Sequence, residues 1–281
     1  MLENFHRKHD YLVCIDSDGC AMDTMNIKHF RAFGPQMIKV FGLEEWQDEL
    51  LERWNRENLF SFTRGMNRFL GCFSLLSYVH ETYREIPGLA DMQDWIENAT
   101  SLSNAGLKQR LAEAPSELLE KALEWSNAVN KAVGEIPEEE NVPFPGVLET
   151  LQKIHEVADI AIVSSANPEA VHEEWTRTGL MPYVDVVCAQ NVGTKAQSIG
   201  YLLEHGYDKA KVIKIGDAPG DQDAAEQNHV FYYPILAGDE AACWKAFDEV
   251  YFDRFMAGTY GEVQEEMQKR FNDNLSRHSD S

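Results

Sequence analysis

Two aspartates two positions apart, Asp16 and Asp18, stand in the stretch YLVCIDSDGCAMDT, residues 11–24. A second acidic pair, Asp217 and Asp221, stands in KIGDAPGD. Four carboxylates brought to one place repel and raise one another's pKa unless positive charge lies between them. A hard cation with oxygen ligands answers that need, and Mg²⁺ held by a few carboxylates, waters and a phosphate oxygen fits best. The spacing of Asp16 and Asp18 then suggests a division of labour. One carboxylate coordinates the metal and attacks in line at phosphorus, giving an aspartyl-phosphate. The other, two residues on, protonates the leaving oxygen and then activates the water. Gly19 relieves the tight turn that brings both to the same site. Lys195 and the Ser164 hydroxyl complete a cradle for a phosphate, with Ser165 beside it as a further substrate contact.

These residues can meet only if the chain brings them to one edge of a sheet. Leu12, Val13, Cys14 and Ile15 form an unbroken apolar run, which suits a strand covered on both faces. Such strands in open α/β sheets carry ligands at their carboxyl ends. From residue 146 onward the sequence alternates: GVLETLQKIHEV helical, DIAIVSS a strand, PEAVHEEWTRTG helical, VDVVCA a strand, TKAQSIGYLLEHG helical, KVIKIGD a strand, DQDAAEQN a short helix and VFYYP a strand. Asn167 is placed to cap the second of these helices, with Pro168 at its first position. Strands alternating with helices give a doubly wound parallel sheet.

Between Thr24 and the proline-rich acidic stretch GEIPEEENVPFPG, residues 134–146, the sequence is helical throughout. Trp46, Leu50 and Trp54 fall at i, i+4 and i+8, Leu118, Ala122, Trp125 and Val129 make a similar stripe, and these read as core. The expected architecture is one α/β core, residues 1–24 and 143–281, interrupted by an all-helical insertion, residues 25–142. The last ~45 residues add one or two helices to the core.

The chain has 281 residues, 44% of them hydrophobic, and a net charge of −22 from 25 basic and 47 acidic residues. That balance disfavours nucleic acid or an anionic membrane as partner. An anionic substrate therefore needs a metal or local cations. Five cysteines with no CxxC pair suit small buried residues in a reduced cytoplasm, and no segment has the apolar length of a membrane span. A calcium-loop reading of DSDGCAMDT fails, because its glycine falls at position four rather than six.

Taken together, VCIDSDG, IAIVSS, Lys195 and GDAPGD resemble, in order and separation, the four motifs of the haloacid dehalogenase-like (HAD) superfamily. A helical insertion directly after the first motif resembles the C1-capped subclass, which includes phosphoglycolate phosphatases and β-phosphoglucomutases. The resemblance implies a Rossmann-like core, Asp16 as nucleophile and Asp18 as general acid and base. It implies that Ser164 and Lys195 hold the phosphate, and that Asp16, the Asp18 backbone carbonyl and Asp217 ligate Mg²⁺ with Asp221 in support. Dehalogenases and phosphonate-cleaving members usually lack an acidic residue two places after the nucleophile, so Asp18 favours phosphoryl transfer. The lysine motif departs from the common lysine–proline pair, reading GTKAQS. Lys209, Lys211 and Lys214 are poorer candidates for that role, because they flank or lie within the strand leading to Asp217.

Selectivity is expected in the insertion. LFSFTRGMNRFLGCF places Arg64 and Arg68 one helical turn apart, as cations for the far end of a substrate, with Trp54 and Phe62 as packing. The reading is a cytoplasmic, Mg²⁺-dependent phosphatase of small phosphorylated metabolites, a monomer or homodimer. The alternatives are a phosphomutase, a phosphonate hydrolase using Lys28 or Lys39, and a non-catalytic phosphate-binding relative.

Overall fold

A computed structural model describes residues 5–277. The chain divides into two compact units, one made of the residues up to Met25 together with those from Glu138 on, the other of Asn26–Pro137.

The first unit is built on a five-stranded parallel sheet: β1 (Leu12–Ile15), β2 (Asp159–Val163), β3 (Val186–Cys188), β4 (Val212–Gly216) and β5 (Phe231–Pro234). The strand order is β3-β2-β1-β4-β5. Every residue of β1, β2 and β4 is buried. That is why these strands read as continuous apolar runs rather than alternating ones. The helices Val147–His155, Pro168–Arg177, Lys195–Leu203 and Pro219–Asn228 connect the strands in turn. Asn167 accepts from the amides of Glu169 and Ala170, and Thr194 forms a reciprocal capping box with Gln197. This is the α/β doubly wound fold anticipated from the alternating pattern.

Register brings the chemistry together. Ile15 lies opposite Ile162 on one side and Ile215 on the other. The chain therefore leaves β1 at Asp16, β2 at Ser164 and β4 at Asp217, all at the carboxyl edge where the strand order switches direction around β1. β4 also carries an anomaly: Lys214, in the middle of a central strand, is fully buried beside Cys14.

The C-terminal helices Glu240–Ala246, Phe252–Met256 and Gly261–Ser276 pack Trp244, Phe255 and Phe271 into the same core, and the segments joining them add Phe247 and Tyr260. They do more than cover apolar surface. The Trp244 indole donates to the Cys20 carbonyl at 2.8 Å, pinning the loop after β1. Trp244→Phe should keep most of the buried area but strand that carbonyl, at a cost of about 1–3 kcal/mol. Urea unfolding would read the loss, and an unchanged midpoint and slope would show that the indole bond contributes nothing.

The second unit is helical, with its own core around Trp54, Phe69, Trp95, Leu118 and Trp125. Trp54 and Trp125 meet edge to face at 5.9 Å, and Phe69 meets Trp95 in the same way at 5.0 Å. Such aromatic pairs contribute about 0.5–1.5 kcal/mol beyond their area. Of the two stripes, Leu50, Trp54, Leu118, Ala122, Trp125 and Val129 are buried, whereas Trp46 is half-buried and stacks on Tyr83 at 4.7 Å. Phe62 is not packing, however: it is 47% exposed. Among the described residues no helix is long and apolar enough to cross a membrane.

Candidate active site

The loop after β1 is tied from several sides. The Asp16 amide donates to the Ile215 carbonyl (3.0 Å), fixing the first aspartate against β4. The amides of Ala21 and Met22 converge on the Ser17 carbonyl at 3.0 and 2.9 Å, a turn that Gly19 permits with φ +76°. The Ser17 hydroxyl accepts from the Trp175 indole at 2.9 Å. Downstream, the Asp23 amide donates to the Val142 carbonyl and the Phe144 amide to the Ala21 carbonyl, so the segment leaving the core is stitched to the segment returning to it.

Within this frame three buried carboxylates, Asp16, Asp217 and Asp221, bring oxygens within 4.8 Å of one another. Lys195, at the first turn of its helix, donates to Asp16 Oδ2 (2.6 Å) and to Asp221 Oδ1 (2.8 Å). Asp16 Oδ1 accepts from the Ser17 amide at 2.8 Å. Burial alone would pull the Lys195 ammonium down, but attraction from Asp16, then Asp221 and Asp217, outweighs it and holds the group above its ordinary range. Burial likewise pushes the Asp221 carboxyl up, and there Lys195 and Lys214 prevail, leaving it lowered. Three carboxylates face two ammonium groups here. One negative charge is left over, and like charges ~4 Å apart repel by about 4 kcal/mol at an effective dielectric of 20. An all-oxygen donor set with surplus negative charge fits a hard divalent cation such as Mg²⁺.

The other sequence candidates are placed as follows. Asp18 is half-buried, outside the three-carboxylate cluster, and its Oδ1 accepts from the hydroxyl of fully buried Thr24. Ser164 is buried at the end of β2, where its hydroxyl accepts from the Ala166 amide at 3.2 Å; Ser165 is exposed. Arg64 and Arg68 are not one helical turn apart. Arg64 lies in the turn between two helices, where Gly65 takes φ +73° and Asn67 caps the helix that Arg68 begins. Arg64 is buried and donates to the Leu59 carbonyl at the end of the preceding helix. Arg68 lies over the Phe33 ring at 5.0 Å and donates to Asn130 Oδ1 (2.7 Å) and to the Ser126 hydroxyl and carbonyl, all neutral acceptors. Lys39 is exposed and Lys28 half-buried.

Two features escaped the sequence reading. Thr24 was visible only as the end of a turn. Lys214, set aside because it lies within the strand, reaches the cluster from inside the sheet: its Nζ is 2.8 Å from Asp221 Oδ1. The signal was present, since a lysine in an otherwise apolar central strand must find a buried partner.

Gly216 explains one invariant of the geometry. A Cβ there would stand 2.2 Å from Asp221 Cγ and 2.3 Å from its Cβ. Gly216→Ala should therefore displace Asp221 and cost about 1–3 kcal/mol by overpacking. Unfolding in urea tests this, and wild-type stability would show that the aspartate relocates without cost.

The family model for haloacid dehalogenase-like hydrolases matches residues 74–233, more than half of the chain. The chain belongs to this family of hydrolases. The matched stretch of this haloacid dehalogenase-like hydrolase takes in Ser164, Lys195, Asp217 and Asp221, whereas Asp16 and Asp18 lie before it. No curated protein matches in sequence. Among solved structures, a protein from Lactobacillus delbrueckii subsp. bulgaricus, provisionally designated a phosphoglycolate phosphatase, aligns with a TM-score of 0.52 at 14% identity, covering 86% of this chain and 92% of that one. A haloacid dehalogenase-like family hydrolase from Streptococcus pneumoniae aligns with a TM-score of 0.49 at 13% identity, covering 84% and 90%. At 14% identity the first of these likenesses speaks for the fold alone.

Proposed function

We propose that this hydrolase is a Mg²⁺-dependent phosphatase of small phosphate monoesters that works through an aspartyl-phosphate on Asp16. The observation that carries the reading is Lys195, 2.6 Å from Asp16 Oδ2, in a buried cluster with Asp217 and Asp221. A carboxylate gripped on one oxygen by an ammonium has a fixed orientation, which is what an in-line nucleophile needs.

In the first half-reaction an Asp16 carboxylate oxygen bonds to phosphorus, the phosphorus–ester oxygen bond breaks, and the departing alkoxide takes a proton from the Asp18 carboxyl. In the second, a water gives its proton to the Asp18 carboxylate as its oxygen bonds to phosphorus. The phosphorus–Asp16 bond breaks, which restores the carboxylate and frees inorganic phosphate. Thr24 holds Asp18 in place for both transfers. Lys195 and Ser164 steady the phosphoryl oxygens. Asp16 and Asp217, with the Asp18 backbone carbonyl, would hold the Mg²⁺. Asp221, whose oxygens already accept from two lysines and from the Ala218 amide, is assigned a supporting place. Mg²⁺, when bound, supplies the positive charge that lets an anionic nucleophile approach an anionic ester.

The helical unit is assigned the choice of substrate. Of Arg64 and Arg68, Arg68 is the better suited to a second anionic group on the substrate, because it is half-buried where Arg64 is buried. The strongly acidic chain favours a small phosphorylated metabolite over a nucleic acid.

Phosphate release from a panel of sugar phosphates, phosphoglycolate, nucleoside monophosphates and an aryl phosphate, each with Mg²⁺ and with EDTA, tests the reading. Release that requires Mg²⁺ is expected from at least one ester. Isomerisation of a sugar phosphate without release would identify a mutase, and no reaction with any ester would refute phosphatase function.

A further inference from the structure

Lys214 does not behave as a strand residue that happens to be charged. It is fully buried in the middle of a central strand. Placing an ammonium there costs several kcal/mol unless every proton is satisfied. Its Nζ meets that condition with three acceptors: Asp221 Oδ1 at 2.8 Å, the Val163 carbonyl at 3.2 Å and the Ile215 carbonyl at 3.1 Å. The two carbonyls belong to the ends of β2 and β4, the strands that deliver Ser164 and Asp217. The same Asp221 Oδ1 accepts from Lys195 at 2.8 Å, and Lys195 in turn grips Asp16. The four groups form one chain: Lys214, Asp221, Lys195, Asp16.

We infer that Lys214 is a positioning residue, which locks Asp221 so that Asp221 can hold Lys195 against the attacking oxygen of Asp16. Each link has a physical cause. Asp221 Oδ2 is steadied by the Ala218 amide, while Oδ1 accepts from two ammonium groups, Lys195 and Lys214. Lys195 spends two of its three donors on Asp16 and Asp221, which orients the third. Without Lys214 nothing braces Asp221 from within the sheet. Lys195 then follows Asp221, and Asp16 loses its fixed orientation. Lys214 itself has no donor left for substrate, so its effect travels only through the other three groups.

The kinetic arm of the test rests on the phosphatase reading. Lys214→Met replaces the ammonium by an apolar group of similar length but leaves Asp221 in place, and removing one partner of a buried ion pair is strongly destabilising. The variant should melt below wild type, yet as a folded protein keep KM for the best ester, while kcat falls about 10- to 100-fold, the scale of a misplaced reacting group. The double variant Lys195→Met/Lys214→Met should be no slower than Lys195→Met alone, within about twofold, because Lys214 acts through Lys195. A Lys214→Met kcat near wild type, or losses that multiply in the double variant, would overturn the inference. If Lys214→Met does not fold, Lys214→Gln serves in its place, since it can still bond the strand-end carbonyls but carries no charge for Asp221. If wild type turns over no ester, the phosphatase reading has failed, and a crystal structure of the variant decides the inference separately. Lys195 should have left hydrogen-bond reach of Asp16; Lys195 still seated on Asp16 Oδ2 would refute it.

Discussion

Asp16→Asn should release no phosphate above background from any ester that wild type hydrolyses, a loss on the order of 10⁴-fold or more in kcat. The amide oxygen of the variant can still accept from the Ser17 amide, and the backbone bond to Ile215 is untouched, so the loop after β1 keeps its shape. What disappears is the anionic oxygen that Lys195 grips and that bonds to phosphorus. The site also loses one of its three clustered carboxylates, so a weaker response to Mg²⁺ should accompany the loss of turnover. Phosphate release and thermal melting on the same preparation check this. Activity within tenfold of wild type in a folded variant would remove Asp16 from the nucleophile's role, and Asp16→Ala guards against slow deamidation restoring the acid.

Asp18→Asn should separate the two half-reactions. The Thr24 hydroxyl can donate to an amide oxygen as it does to the carboxylate, so the side chain stays placed while its proton chemistry is lost. General acid–base catalysis contributes about 10²- to 10⁴-fold, and steady-state turnover of an alkyl phosphate should fall by that amount. An activated aryl phosphate needs no proton on its leaving oxygen. The variant should therefore release one equivalent of phenolate per site in a burst and then stall, because no base is left to activate water. Rapid-mixing absorbance records the burst. A variant slowed equally in both phases, with no burst, would place Asp18 outside the hydrolytic step.

The contrast between these residues and those that the sequence hid is instructive. Asp16, Ser164 and Asp217 were legible because parallel strands in register deliver whatever follows Ile15, Val163 and Gly216 to one edge, and alternation of strand and helix reveals parallel strands. Lys195 was legible as the residue that opens a capped helix beside that edge. Lys214 reads as a poorer candidate because it lies within the strand leading to Asp217, yet that whole strand is buried and the charge turns inward to Asp221. The Arg64–Arg68 spacing misled for a local reason. Helical periodicity carries no information once Gly65 adopts positive φ and Asn67 begins a new helix. Trp175 and Trp244, which pin the loop after β1 through Ser17 and Cys20, lie 158 and 224 residues from their partners. Contacts at that separation depend on tertiary packing that no sequence pattern encodes.

Chemical trapping of the phosphorylated residue bears most directly on the mechanism. Wild-type protein would be mixed with its best ester and Mg²⁺, quenched in acid within a single turnover and reduced with borohydride, which converts an aspartyl-phosphate to homoserine. Peptide mass spectrometry should then find homoserine at position 16 and at no other aspartate, dependent on both ester and Mg²⁺. Phosphate release at full rate with Asp16 unmodified, or modification at a different residue, would contradict the account.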